Sequence, residues 1–253
     1  MSAPDVRRAV VTGGARGIGR ALAERLTAAG VRVVLNDLDE SETQEVADRI
    51  GAHAVPGDAA SHDGATGLVQ AAYEHLGEVD VWFGNAGVVR GAGVEAGDDE
   101  WQTSWQVNTM AHVRAARLLV PRWVERGSGR YVVTASAAGL LTALGTAPYS
   151  VTKHATIAFA EWLSATYRHR GIVVQAICPQ GVRTDMLEQS VVQGVLDGAL
   201  TPQEVAEAAW QALDGDRFLV LPQPEVGDYY ARRATDTDRW LSGMNRLQQR
   251  LDQ

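Results

Sequence analysis

The chain has 253 residues, 45% hydrophobic and 21% charged, the composition of a folded globular protein; disordered and fibrous architectures are excluded. Its 23 basic residues against 31 acidic ones leave a net charge of −8, a surface that repels phosphate backbones and anionic headgroups, so nucleic acid and membrane are poor partners. A single cysteine, Cys178, rules out an intrachain disulfide and a cysteine-based zinc site, and no metal site is expected.

No apolar run approaches the roughly 18–20 residues of a membrane span. The opening MSAPDVRR leads directly into AVVTGG, with no room between them for the apolar core of a secretory signal, which predicts a soluble, cytoplasmic protein. Lys153 is the only lysine, the other 22 basic residues being arginines. An ammonium kept among planar guanidiniums suggests a position that needs a compact, flexible cation, although chance survival gives the same count.

Short β-branched runs alternate with longer Ala/Leu/Arg-rich stretches. In chain order the pattern predicts strand 8–12, helix 17–29, strand 31–36, helix 40–50, strand 53–56, helix 62–76 and strand 79–83. A long helix over 100–126, strand 130–134, helix 148–169, strand 172–178, helix 201–213 and strand 218–221 follow. Alternation of this kind gives an α/β, doubly wound (Rossmann-type) single domain over 1–221, with about seven parallel strands and helices on both faces. The remaining 222–253 form a helical tail. Its stripe of Val226, Tyr230, Trp240, Met244, Leu247 and Leu251 suits a subunit interface or a pocket rim, or packing on its own domain.

Between the first strand and helix stands Thr12-Gly13-Gly14-Ala15-Arg16-Gly17-Ile18-Gly19. Glycines allow a tight turn and close backbone approach, and the helix N-terminus offers N–H groups and partial positive charge to a pyrophosphate. Asp37, 18 residues past Gly19 at the end of the second strand, can accept both hydroxyls of an adenosine ribose and repels a 2′-phosphate. Arg16 argues for that phosphate, and Asp37 could instead cap the next helix in competition with Asp39 and Ser41. NAD is favoured over NADP.

Tyr149 and Lys153 are four apart at the start of a helix and project from one face. A phenol with a reference pKa near ~10 is a weak acid–base group at neutral pH, and a neighbouring ammonium favours its ionised form.

With these residues in view, the sequence resembles the short-chain dehydrogenase/reductase family, in its branch of roughly 250 residues. Thr12-Gly13, Gly17 and Gly19 match the TGxxxGxG loop, and Tyr149 with Lys153 the YxxxK motif. Ser136 and Asn108 stand at the remaining catalytic positions, and the likeness runs from residue 6 to about 221. It implies cofactor contacts from Gly13, Arg16, Gly17, Ile18 and Gly19, from Asp37 and Leu38, and from Asp58 and Ala59 beside the adenine. Asn85, Ala86, Gly87, Tyr149, Lys153, Pro179, Val182 and Thr184 complete that set.

The implied roles are Tyr149 as the acid–base group, Lys153 lowering its pKa and binding the nicotinamide ribose, Ser136 holding the substrate oxygen, and Asn108 positioning a relay water. Two departures stand out. Gly84 replaces the first residue of the usual Asn-Asn-Ala-Gly, and Pro179-Gln180-Gly181 replaces the usual Pro-Gly.

The substrate pocket is expected along 138–145, Gln180-Gly181 and 186–196, with Ala138, Leu144, Gln180, Gly181, Met186 and Leu187 as its named members. Leu140, Leu141, Val191, Val192 and Val195 make it apolar; Thr142, Gln180, Glu188 and Gln189 are its polar candidates. The reading is an NAD-dependent enzyme moving hydride between nicotinamide and an apolar secondary alcohol or ketone. An NADPH-dependent 3-ketoacyl-carrier reductase and a non-catalytic nicotinamide-binding regulator are the alternatives. Resemblance also implies a homotetramer or dimer formed through the helices at 100–126 and 148–169.

Overall fold

The computed structural model describes residues 6–188 and 198–252. Seven strands form one parallel sheet: β1 Arg8–Thr12, β2 Arg32–Asn36, β3 His53–Ala54, β4 Val81–Gly84, β5 Gly129–Thr134, β6 Ile172–Ile177 and β7 Leu219–Val220. Their spatial order is β3-β2-β1-β4-β5-β6-β7. The order reverses between β1 and β4, and a crevice opens beyond the carboxyl ends of the strands at such a point.

Alternation along each strand sends successive side chains into two cores. Val10, Trp82, Tyr131 and Val133 pack with α3 His62–Leu76, α5 Ala111–Arg126 and α7 Ala147–Tyr167. Val11, Phe83, Val132 and Ile177 pack on the other face with α1 Gly17–Ala28, α2 Glu40–Ile50 and α9 Pro202–Ala212. Helix boundaries follow the caps. Ser61 accepts from the Gly64 N–H ahead of α3, and Thr201 forms a capping box with Glu204 ahead of α9.

Two sequence expectations change. The long helix over 100–126 is three pieces: α4 Asp98–Trp105, a π turn Gln106–Met110, and α5. Asn108 lies in that π turn, the kind of local widening that re-aims side chains at functional sites. The tail is two helices, α10 Glu225–Thr235 and α11 Thr237–Leu251, broken at Asp236, whose carboxylate accepts from the Arg239 N–H and starts α11. Among the described residues there are also two short helices, α6 Ala138–Leu141 and α8 Asp185–Glu188. Among the described residues, no helix is long and apolar enough to cross a membrane.

Candidate active site

The β1–α1 turn is a cradle shaped by its glycines. Gly13 and Gly17 have φ of +62° and +50°, where glycine is favoured. No side chain caps α1, so its first turn opens on the crevice. A Cβ on Gly19 would lie 1.9 Å from the Gly13 carbonyl oxygen. Gly19 therefore packs beneath the loop and does not line the cleft, in contrast to the contact role expected of it. Asn85 ties β4 to the loop, its Nδ2 donating to the carbonyls of Thr12 and Gly13 at 3.1 and 3.0 Å. These groups fit a dinucleotide phosphate.

At the end of β2, Asp39 caps α2 by accepting from the Glu42 N–H at 2.9 Å. Asp37 is thus not the cap. Its Oδ2 accepts from Ala15 N–H at 2.9 Å and its Oδ1 from Leu38 N–H at 2.7 Å, while the residue lines the cleft. Arg16 lines the cleft too, but its guanidinium pairs with Glu42 at 2.5 Å. Leu38, Asp58 and Ala59 extend this wall, with Asp58 Oδ1 accepting from Ala60 N–H.

α7 carries Tyr149 and Lys153 to the middle of the cleft, and β5 runs into Ser136 opposite them. Lys153 is buried and donates to the Thr134 carbonyl at 2.8 Å, its Nζ 5.6 Å from the Tyr149 ring centre. Burial pulls the ammonium down to about 8. Tyr149 differs from the simple expectation. Burial pushes its phenol up, and a hydrogen bond from the Ser136 hydroxyl works against that shift. Ser136 Oγ accepts from Ala138 N–H at 3.1 Å. Cys178 is buried beside this group, its thiol pushed up to about 12.

Asn108 is fully buried and sits behind the cleft instead of lining it. Its amide exchanges two hydrogen bonds with the Val88 backbone, at 2.8 and 2.9 Å, and donates to Thr152 Oγ1 at 3.1 Å. It holds the loop after Gly87 against α7.

Of the substrate positions, Ala138, Leu144, Gln180 and Met186 line the cleft, as do Leu141 and Thr142. Thr142 has φ of +68°, the one positive value for a non-glycine among the described residues. Leu140 turns into the core, and Gly181 is buried without lining the cleft. The side chains of Leu187 and Glu188, and Gln189, Val191, Val192 and Val195, lie outside the described residues. Pro179, Val182 and Thr184 line the cleft beside Ala86 and Gly87.

One residue of this site was not legible in the motifs. Buried Gln223, just after β7, accepts from Gln180 N–H at 3.1 Å and donates to the Gly181 carbonyl at 2.9 Å. It clamps the turn where the sequence departs from Pro-Gly. A buried glutamine could have been suspected only from its place at the end of an apolar strand.

The cleft encloses about 1390 Å³ and runs from Asp37 past Tyr149 to the tail, where Tyr229, Arg232, Trp240, Met244, Leu247 and Leu251 form its far wall.

A nucleotide cradle joined to a Ser136–Tyr149–Lys153 cluster defines a nicotinamide-type oxidoreductase, and the comparisons agree. The short chain dehydrogenase family model matches residues 7–193, and the chain belongs to that family. It is 35% identical over 237 residues to a 1-deoxy-11-beta-hydroxypentalenate dehydrogenase of Streptomyces avermitilis, covering 88% of each chain. It is 31% identical over 229 residues to the 3-oxoacyl-[acyl-carrier-protein] reductase FabG of Salmonella typhimurium, covering 83% of this chain and 91% of that one. A short-chain dehydrogenase/reductase from Burkholderia phymatum, solved in complex with NAD, superposes with a TM-score of 0.84 at 27% identity, covering 94% and 96%.

Proposed function

We propose that the protein is an NAD-dependent alcohol dehydrogenase or carbonyl reductase acting on an apolar secondary alcohol or ketone. The observation that carries this reading is one continuous cleft, with Asp37 at its nucleotide end, Ser136, Tyr149 and Lys153 at its middle, and a mostly apolar wall beyond.

The nicotinamide, when bound, supplies the hydride acceptor or donor. Tyr149 exchanges the proton at the substrate oxygen. Ser136 Oγ accepts from Ala138 N–H, and its O–H, which serves Tyr149 in this structure, would turn to donate to the substrate oxygen and favour the developing alkoxide. Lys153, anchored on the Thr134 carbonyl, presents its remaining N–H groups to the nicotinamide ribose. Asn108 fixes the position of the loop and, in this reading, of a relay water. Val182 and Thr184, on a turn braced by Gln223, hold the carboxamide.

Asp37 supports NAD over NADP, because the carboxylate is free of helix capping and Arg16 is paired with Glu42. The relative FabG favours a second reading, a ketoacyl-carrier reductase. Asp37 opposes the NADPH it would use, and a net charge of −8 opposes an acidic carrier. A non-catalytic regulator is disfavoured by the intact Asn108, Ser136, Tyr149 and Lys153. Trp105, Val151 and Trp162, exposed on α4 and α7, suit a homodimer or homotetramer.

The test is turnover of the purified protein on a ketone and secondary-alcohol panel with each of NAD(H) and NADP(H). Faster turnover with NADPH, or on acyl-carrier thioesters, would overturn the reading.

A further inference from the structure

We propose that the far end of the cleft binds a carboxylate through Arg232, so that the substrate is a hydroxy or keto acid with an apolar body. The inference rests on reading the cleft as a secondary-alcohol site and deepens it.

The tail wall presents Trp240, Met244 and Leu247 on one stripe of α11, with Tyr229 and Arg232 of α10 beside them. This wall suits carbon skeletons, and Arg232 is the one cation in it. Elsewhere in the cleft Arg16 pairs with Glu42 and Arg20 with Glu24, while Arg90 and Arg183 line it without an ion pair among the described residues. Arg232 is likewise unpaired, and of these it is the one that stands on the apolar tail wall. Asp228 lies one turn back on the same helix, yet no acid among the described residues comes within ion-pair distance of Arg232. Its guanidinium instead stands 5.9 Å from the centre of the Tyr229 ring, itself a lining residue.

Arg232 is exposed, so a carboxylate there would be held by paired N–H donors and by contact of the carbon skeleton with the wall, not by a low dielectric. The planar guanidinium matches a carboxylate with two parallel N–H donors. A phosphate dianion would call for further donors, which the apolar neighbours do not supply. Arg90, on the loop after β4, also lines the cleft with no ion pair among the described residues, and serves as the control.

The experiment measures binding to the NADH complex by thermal shift and titration, for a graded series of cyclic hydroxy acids, from hydroxycyclohexanecarboxylic acids to 3-hydroxy bile acids. Each acid is paired with its methyl ester. The expected result is a preference for one or more acids over their esters of about five- to tenfold. Arg232→Gln should abolish that preference, Arg232→Lys should keep part of it, and NADH affinity should report that the nucleotide end is intact. Equal binding of acid and ester, no binding of any acid, a preference surviving in Arg232→Gln, or one lost only in Arg90→Gln would each overturn the proposal. Acid-selective binding without oxidation would leave it standing and overturn the proposed reaction.

Discussion

The imidazole of His112 occupies the space that a side chain on Gly84 would take: a Cβ there would lie 2.5 Å from Nδ1 and 2.8 Å from Cε1. The family's asparagine is therefore replaced by a pair, a missing side chain on β4 and a buried ring from α5. Burial, helped by the charge of Lys153, holds His112 down at about 3, so the ring is neutral. Gly84→Asn should overpack this spot and cost about 1–3 kcal/mol in denaturant unfolding. Gly84→Asn combined with His112→Ala should recover most of the loss. A single variant as stable as the parent would refute the steric account.

Asp37 both braces the phosphate loop through Ala15 N–H and faces the cleft. Asp37→Ala should weaken NADH binding about tenfold, the value of one charge-assisted hydrogen bond, and narrow the preference over NADPH. Fluorescence titration of both cofactors gives the ratio. A parent enzyme that binds NADPH more tightly sinks this prediction.

Gln223 tests whether the Gln180-Gly181 turn must be held. Gln223→Leu leaves the Gly181 carbonyl and the Gln180 N–H without their partner and should lower kcat several-fold, with a smaller change in stability. Gln223→Glu keeps the acceptor but loses the donor, and should fall between. Equal kinetics in all three proteins would make the clamp irrelevant to catalysis.

Lys153 gives a pH signature. Its ammonium loses its proton near 8 in the folded protein and near the ordinary lysine value of 10.5 when unfolded. The unfolded chain binds the extra proton between these values, so this group's contribution to stability rises as pH climbs from about 8 to about 10.5; below 8 its destabilising effect is fully present. Relative to Lys153→Met, the parent should gain a few kcal/mol across that window. A difference between the two proteins that is flat with pH would contradict the burial.

Much of this was legible because the sheet is buried on both faces. Runs such as 8–12 and 172–178 read as strands, and α2 and α3 fall on their predicted bounds because Asp39 and Ser61 cap them. Tyr149, Lys153 and Ser136 were legible as motifs, and the structure brings them to one cleft. What escaped is three-dimensional. A π turn at Asn108 changes one hydrogen-bonding step inside a continuous helical pattern, which periodicity does not register. Gln223 meets Gln180 across 43 residues of chain, and His112 meets Gly84 by volume alone. The tail's stripe was visible, but its break came from the cap at Asp236.

That break also divides the tail by function. Val226 of α10 is fully buried in the main core, and Arg233 bonds the Leu140 carbonyl and meets His154, so α10 belongs to the body of the domain. α11 has no buried side chain; Trp240 meets the Tyr229 ring at 6.5 Å, and Met244, Leu247 and Leu251 face the cleft. A chain ending at Thr235 should therefore fold and bind NADH as before. A large apolar alcohol would lose the wall that removes part of its surface from water, and its KM should rise about tenfold, whereas a three- or four-carbon alcohol should be little affected. A chain ending at Pro224, which also loses Val226, should unfold more readily by about 1.5–3 kcal/mol or more. Steady-state kinetics on alcohols of increasing size, with light scattering for mass, separates the outcomes. A size-independent KM in the Thr235 chain would remove α11 from the pocket, and a fall in mass alone would assign it to the subunit interface.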